Sequence, residues 1–121
     1  MNDVKQVIVV RKDLNMRKSE LTAQTAHASM MFLIDNNEAE RNDEVVIKLT
    51  PAEATWLSGS FAPIILTVDS QDALEDLIFQ AQMSDVEVHS SVDEQETLTC
   101  AAFGPCDSED IDRITGNLKS M

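Results

Sequence analysis

The chain has 121 residues, 43% of them hydrophobic, which supports one core and leaves too little interior for two. Nine basic residues against 22 acidic ones give a formal net charge of −13, so most of the surface repels polyanions and generic nucleic-acid binding is disfavoured. No stretch approaches the roughly 20 apolar residues of a membrane span, and no apolar run with a small-residue cleavage site opens the chain; a soluble, cytoplasmic protein is expected.

Val7 to Val10 is a continuous β-branched run, the pattern of a central strand buried on both faces. After the polar stretch from Lys12 to Lys18, Ser19 can cap a helix on which Leu21, Thr25, Ala28 and Phe32 recur at helical spacing. Its alanines, Ala23, Ala26 and Ala28, let it lie close to a sheet. The helix is predicted to end near Asp35, because Asn36 and Asn37 favour turns, and Glu38 to Glu44 reads as a polar surface loop. Val45 to Leu49 reads as a short extra strand, at an edge or used by a partner, its start kept polar by Asp43 and Glu44.

Thr50, Pro51 and Glu53 place a cap, a first-turn proline and an acid where a short helix begins, and Gly59 and Pro63 bracket its exit. Ile64 to Val68 is a second buried-type strand. Ser70 then caps a helix with the apolar stripe Ala73, Leu74, Leu77, Ile78 and Ala81. Val86, Val88 and Ser90 alternate with Glu87, His89 and Ser91 as in a half-exposed strand, and Leu98 to Phe103 is a more buried one. Asp107 or Ser108 caps a last helix carrying Ile111, Ile114 and Leu118. Strands alternating with helices predict a single α/β domain over residues 1–121, its sheet covered on both faces.

Charge is distributed unevenly. Residues 1 to 18 hold Lys5, Arg11, Lys12, Arg17 and Lys18 against Asp3 and Asp13, a basic end ahead of an acidic body. Such an end forms an anion site if the fold gathers its cations on one rim, and is a solvated scatter otherwise. Lys18 precedes a helix N-terminus, where backbone N–H groups favour a phosphate. By spacing alone, a lone His27 on an alanine-rich helix reads more readily as a packing residue than as a catalyst. Gln24 stands one turn before it, on the same helix face. Cys100 and Cys106 lack the spacing of a zinc site or redox pair, so no disulfide is expected and Cys100 reads as a buried free thiol.

The segment from Val9 to Lys18, followed by Ala23-Gln24-Thr25-Ala26-His27-Ala28, resembles the opening of type 2 peptidyl-tRNA hydrolases, which pair a VVRxDLxMxxGK stretch with AQxxHA on the first helix. The resemblance continues through Trp56 and Gly59, through Ile64-Ile65-Leu66, and closes at Gly104-Pro105 and the segment from Ile111 to Lys119, a DxxTGxLK-like ending. Two motifs in order near the two ends are specific where either alone is weak. The resemblance implies a three-layer α/β/α fold with a mixed four-stranded sheet, to which the extra edge strand would be added, and a homodimer. It also implies hydrolysis of the ester joining a peptide to the terminal ribose of tRNA, without metal or cofactor. Carried over by position, the catalytic or tRNA-contacting residues are Lys18, His27 and Asp93, with Gln24 at the family's glutamine position; from the charge of the basic end, Arg11, Lys12 and Arg17 are expected to join Lys18 as the tRNA-binding cations. The apolar residues Trp56, Leu57 and Phe61 can serve either the dimer or the core.

The chain also departs from the pattern. The family's GKGK-like run is Arg17-Lys18-Ser19-Glu20, with both glycines replaced and one lysine exchanged for glutamate. The loop holding Asp93 is shorter and more acidic than the family's DAGxTQ stretch, and about nine residues are inserted before Trp56. Two functions follow. One is an esterase acting on peptidyl-tRNA; the other is a catalytically weak binding or regulatory module that retains the fold.

Overall fold

The β-branched run near the start of the chain becomes the middle of the sheet. The computed structural model describes residues 3–35, 37–41 and 44–121. Strand β1 (Val4–Arg11) is buried from Gln6 onward. It runs parallel to a strand spanning Ile64–Val68, with Val7 opposite Ile64, and antiparallel to one spanning Leu98–Asp107, with Val9 opposite Ala101.

In chain order the other elements are α1 (Lys18–Asp35), β2 (Asn37–Arg41), β3 (Glu44–Ile47), α2 (Pro51–Ser58), β4 (Ile64–Val68), α3 (Gln71–Met83), β5 (Val88–Val92), β6 (Leu98–Asp107), α4 (Ser108–Thr115) and β7 (Lys119–Ser120). The main sheet is mixed, ordered β5-β6-β1-β4-β7. It has five strands where four are expected, because the tail after α4 turns back and adds two residues to the free edge of β4.

Alternation along β1 and β6 sends side chains to two cores. Val7, Val9, Ala101 and Phe103 pack with Leu74, Leu77 and Ala81 of α3 and Ile111 of α4. Ile8, Val10, Cys100 and Ala102 pack with Ala28 of α1. Trp56 of α2 meets Phe61 at 5.5 Å between ring centres, and Phe61 meets Phe32 of α1 at 6.4 Å, which sets α2 beside α1. The result is the expected three-layer α/β/α arrangement. Trp56 and Phe61 thus serve the core, and of the three apolar residues near α2 Leu57 is the most exposed, at 38%.

Several boundaries differ from expectation. Ser19 lies inside α1, which begins at Lys18. The segment read as a polar loop contains β2, which pairs antiparallel with β3 as a hairpin separate from the main sheet. The extra strand therefore exists but is no edge of the main sheet, whose margins are β5 and β7; Val45 and Val46 are both exposed. The turn expected at Asn36 and the polar start expected at Asp43 lie outside the described residues. Leu118 falls beyond α4 yet still packs against its core.

Other local signals act as read. Thr50 Oγ1 accepts the Glu53 N–H at 3.1 Å, while Glu53 Oε1 accepts the Thr50 N–H at 2.8 Å, a reciprocal cap that starts α2. Ser70 caps α3 through the Ala73 N–H at 3.1 Å. Gly104 on β6 has φ of +91°, and a Cβ there would lie 2.7 Å from the Lys5 carbonyl oxygen and 2.9 Å from Ile111 Cδ1. Its N–H donates to the Glu87 carbonyl oxygen at 2.7 Å.

Candidate active site

The site forms where α1 crosses the β5–β6 hairpin. Pairing of Ser91 with Cys100 places Ser91 beside α1, with Thr99 next along β6, and both residues are fully buried. Gln24 reaches down from α1 and its Oε1 accepts two hydroxyls, Thr99 Oγ1 at 2.6 Å and Ser91 Oγ at 3.0 Å. A neutral amide oxygen has lone pairs for both, so this contact between helix and sheet is satisfied without charge. One turn on, His27 Nδ1 lies 3.0 Å from Ser91 Oγ, with the residue otherwise exposed. The Cys100 thiol donates to the Gln24 carbonyl oxygen at 3.6 Å, and burial pushes its pKa up to about 11.

Beside this cross-link lies a cleft of about 410 Å³, lined by Met16, Glu20, Ala23 and Gln24 on one side and residues Asp93, Glu94 and Gln95 on the other. The structure thus brings Gln24 and Asp93 to one cavity, with His27 adjacent through Ser91 rather than in its wall. Asp93 organises its own turn: Oδ1 accepts the N–H groups of Gln95 at 2.9 Å and Thr97 at 3.0 Å. Among the described residues Oδ2 has no partner. Nor, among them, does any cluster of three His, Cys, Asp or Glu side chains converge as metal ligands would.

The cations are less united than the sequence allows. Lys18 is the first residue of α1 and exposed. Nine residues along the helix from it to His27 make a rise of about 13 Å and about two and a half turns, so the two face opposite sides of α1. Arg17 stands 3.9 Å from Glu20, and Lys12 stands 3.5 Å from Asp69. Arg11 is buried. Its Nε and Nη2 donate to the two oxygens of Asp13 at 3.1 and 2.7 Å, and Nη1 donates to the Leu98 carbonyl oxygen at 2.9 Å. That bidentate hydrogen bond holds the Asp13 carboxyl below its ordinary pKa. Arg11 thus braces the start of β6 from inside, while Lys12, Arg17 and Lys18 face solvent.

A second polar cluster centres on His89, to which the sequence assigns no role. Nδ1 lies 2.6 Å from Asp35 Oδ2 at the end of α1, and Nε2 lies 2.8 Å from Glu87 Oε1. Burial opposes the charged imidazole, but the hydrogen bonds to Glu87 and Asp35 outweigh it and raise the pKa. Glu53, fully buried, is raised first by burial and then by a hydrogen bond with Glu87.

The sequence profile of the family described as peptidyl-tRNA hydrolase PTH2 matches residues 4–121. The chain belongs to that family. Relatives named peptidyl-tRNA hydrolase include one from Haloquadratum walsbyi, 36% identical over 122 residues, covering 95% of this chain and 97% of the relative. Another, from Methanothermobacter thermautotrophicus, is 34% identical over 124 residues, covering 98% and 100%. A third, from Sulfolobus acidocaldarius, is 32% identical over 129 residues, covering 98% and 100%. Within a peptidyl-tRNA hydrolase PTH2 fold, two residues that sequence reasoning missed, Ser91 and Thr99, tie Gln24 and His27 to the sheet. The one signal for them was the alternation that puts Ser91 on the face of His89 and Glu87.

Proposed function

We propose that this chain hydrolyses the ester between a peptide and the terminal ribose of tRNA, at the cleft between the first half of α1 and the β5–β6 turn. The observation that carries the reading is the Gln24 clamp. With Oε1 occupied by Thr99 and Ser91, the amide NH₂ is the side left to donate to an ester carbonyl, whose oxygen gains negative charge when water adds. His27 takes the proton from the attacking water and returns it to the departing ribose oxygen, so the products are a peptide carboxylic acid, ionised at neutral pH, and tRNA with a free hydroxyl. Asp93 Oδ2, in the opposite wall, holds the water.

Lys18, with Arg17 and Lys12, binds phosphates near the N-terminus of α1, where the first intrahelical bond is made by the Leu21 N–H and the preceding N–H groups are open to an anion. Arg11 serves this end indirectly, by fixing Asp13 and the strand beside it. A homodimer and a cytoplasmic location belong to the same proposal. Support for the dimer is apolar surface: Met30 and Ile34, one turn apart on α1, and Val45 and Val46 on β3 are exposed. No helix among the described residues is long and apolar enough to cross a membrane. A single-turnover assay on purified peptidyl-tRNA tests the activity; release of peptide is expected, and no release above the buffer rate overturns the reading. Light scattering at micromolar concentration tests the dimer, which a monomer mass overturns.

A further inference from the structure

Hydrogen counting around Gln24 leads to the protonation of His27. The 2.6 Å contact with Thr99 Oγ1 is the length of an O–H···O bond and is shorter than N–H···O bonds run, so Oε1 and not Nε2 faces the hydroxyls. A carboxamide oxygen only accepts. The hydrogen between Ser91 Oγ and Gln24 Oε1, 3.0 Å apart, therefore comes from Ser91, and a serine has one to give. Ser91 Oγ has none left for His27 Nδ1, also 3.0 Å away. The hydrogen in that second contact belongs to the imidazole. The neighbouring Cys100 thiol is kept protonated by burial and donates to the Gln24 carbonyl oxygen; Ser91 also reaches its sulfur, but a thiol sulfur is a weak acceptor beside an amide oxygen, so the Ser91 hydrogen stays with Gln24 Oε1.

We propose that Ser91 is a positioning residue: committed as donor to Gln24, it accepts from His27 Nδ1–H and so leaves Nε2 as the unprotonated nitrogen. Free histidine favours the opposite tautomer, with the proton on Nε2, which has no lone pair to offer a water. Ser91 thereby sets two groups at once, the amide of Gln24 toward the ester carbonyl and the lone pair of His27 toward the proton it must remove. The inference rests on the hydrolase reading only for its consequence; the tautomer itself is a property of the free protein.

The test uses long-range nitrogen–proton NMR spectra of the ¹⁵N-labelled protein. The chain has two histidines, so a His89→Gln variant assigns the signals. In its neutral form, the His27 ring is expected to carry its proton on Nδ1 in the wild type. Ser91→Ala is expected to return the ring to the Nε2–H form and to lower kcat about tenfold or more, with little change in KM. Thr99→Val removes the other hydroxyl from Gln24 without touching His27, and should leave the ring Nδ1–H; a shift there too would mean general loosening and would overturn the assignment. So would a wild-type ring protonated on Nε2, a result that needs no variant to fold, or an Nδ1–H ring that persists in Ser91→Ala. Absence of hydrolysis by a wild type that shows the Nδ1–H ring strikes the hydrolase reading and leaves the tautomer assignment supported.

Discussion

His89 Nε2 lies 2.8 Å from Glu87 Oε1, and that same carboxylate side chain reaches the buried Glu53 on α2. One glutamate thus joins a cation that wants it ionised to an acid that is easier to bury protonated. The imidazole is held above its ordinary value of 6.5, so its stabilising contribution is complete below that value and is lost as pH rises through the folded-state pKa. Glu53 is likewise raised, from 4.5, so its contribution is also lost with rising pH. Both act in one direction. The melting temperature is expected to fall as pH rises, from above 4.5 through Glu53 and from above 6.5 through His89. His89→Gln should flatten the upper part of that fall and Glu53→Gln the part that begins above 4.5; an unchanged profile in both would refute the linkage. Asp13, held low by Arg11, acts oppositely, contributing above its ordinary value of 3.8 and losing that contribution as pH falls through the lowered pKa.

His27→Ala is expected to lower kcat by about 10²-fold, the usual loss for a general base. The residue is exposed, so thermal unfolding should be nearly unchanged. A large drop in melting temperature with a proportionate loss of soluble protein would instead assign the ring to packing.

Lys18→Ala is expected to raise KM more than it lowers kcat, and to reduce the salt slope of tRNA binding by about one unit, as loss of one phosphate contact should. Glu20→Lys removes the acid facing Arg17 and puts a cation at the rim of the cleft, so it should tighten binding at low salt. Filter-binding titrations across salt concentrations measure both. Identical slopes for wild type and Lys18→Ala would remove Lys18 from the interface.

Neither cysteine should react with alkylating agents in the folded protein near neutral pH. Burial raises Cys100 to about 11. Burial, with Asp110, Glu87 and Asp107, raises Cys106 to about 12, so the thiolate needed for attack is scarce. Mass spectrometry after iodoacetamide treatment should find no adduct in buffer and two in denaturant; rapid modification of the native chain would contradict the packing of β6.

Elements with a strong local signal were legible in the sequence. A β-branched run such as Val7 to Val10 has little alternative to a buried strand, and Thr50-Pro51 followed by Glu53 states both where a helix starts and how its end is capped. The β2–β3 hairpin was half hidden because it buries neither Val45 nor Val46, so hydrophobic periodicity had nothing to report. Lys18 and Arg11 are both basic residues in the opening segment, yet one is exposed and the other braces β6; the difference lies in the Leu98 carbonyl, 87 residues away in sequence. Gln24 and His27 were found through the family resemblance, and their partners Ser91 and Thr99 were not. Which hydroxyls face α1 is decided by the register of β5 on β6, a tertiary fact that no spacing along one segment encodes.

Gly104 lies where three parts of the chain converge: the Lys5 carbonyl of β1, Ile111 of α4 and the Glu87 carbonyl ahead of β5. Every other amino acid carries a Cβ, and at this position that atom would overlap two of them. The position therefore has no neighbouring solution in sequence space: no single change of its codon to another residue avoids the overlap, and although the end of the Ile111 side chain can turn away, the Lys5 carbonyl is backbone, so relief requires β1 to move as well. Substitution can alter the acidic surface residue by residue, but here the backbone admits one occupant, and the spacing between β1 and the segment that carries the His89 cluster depends on it.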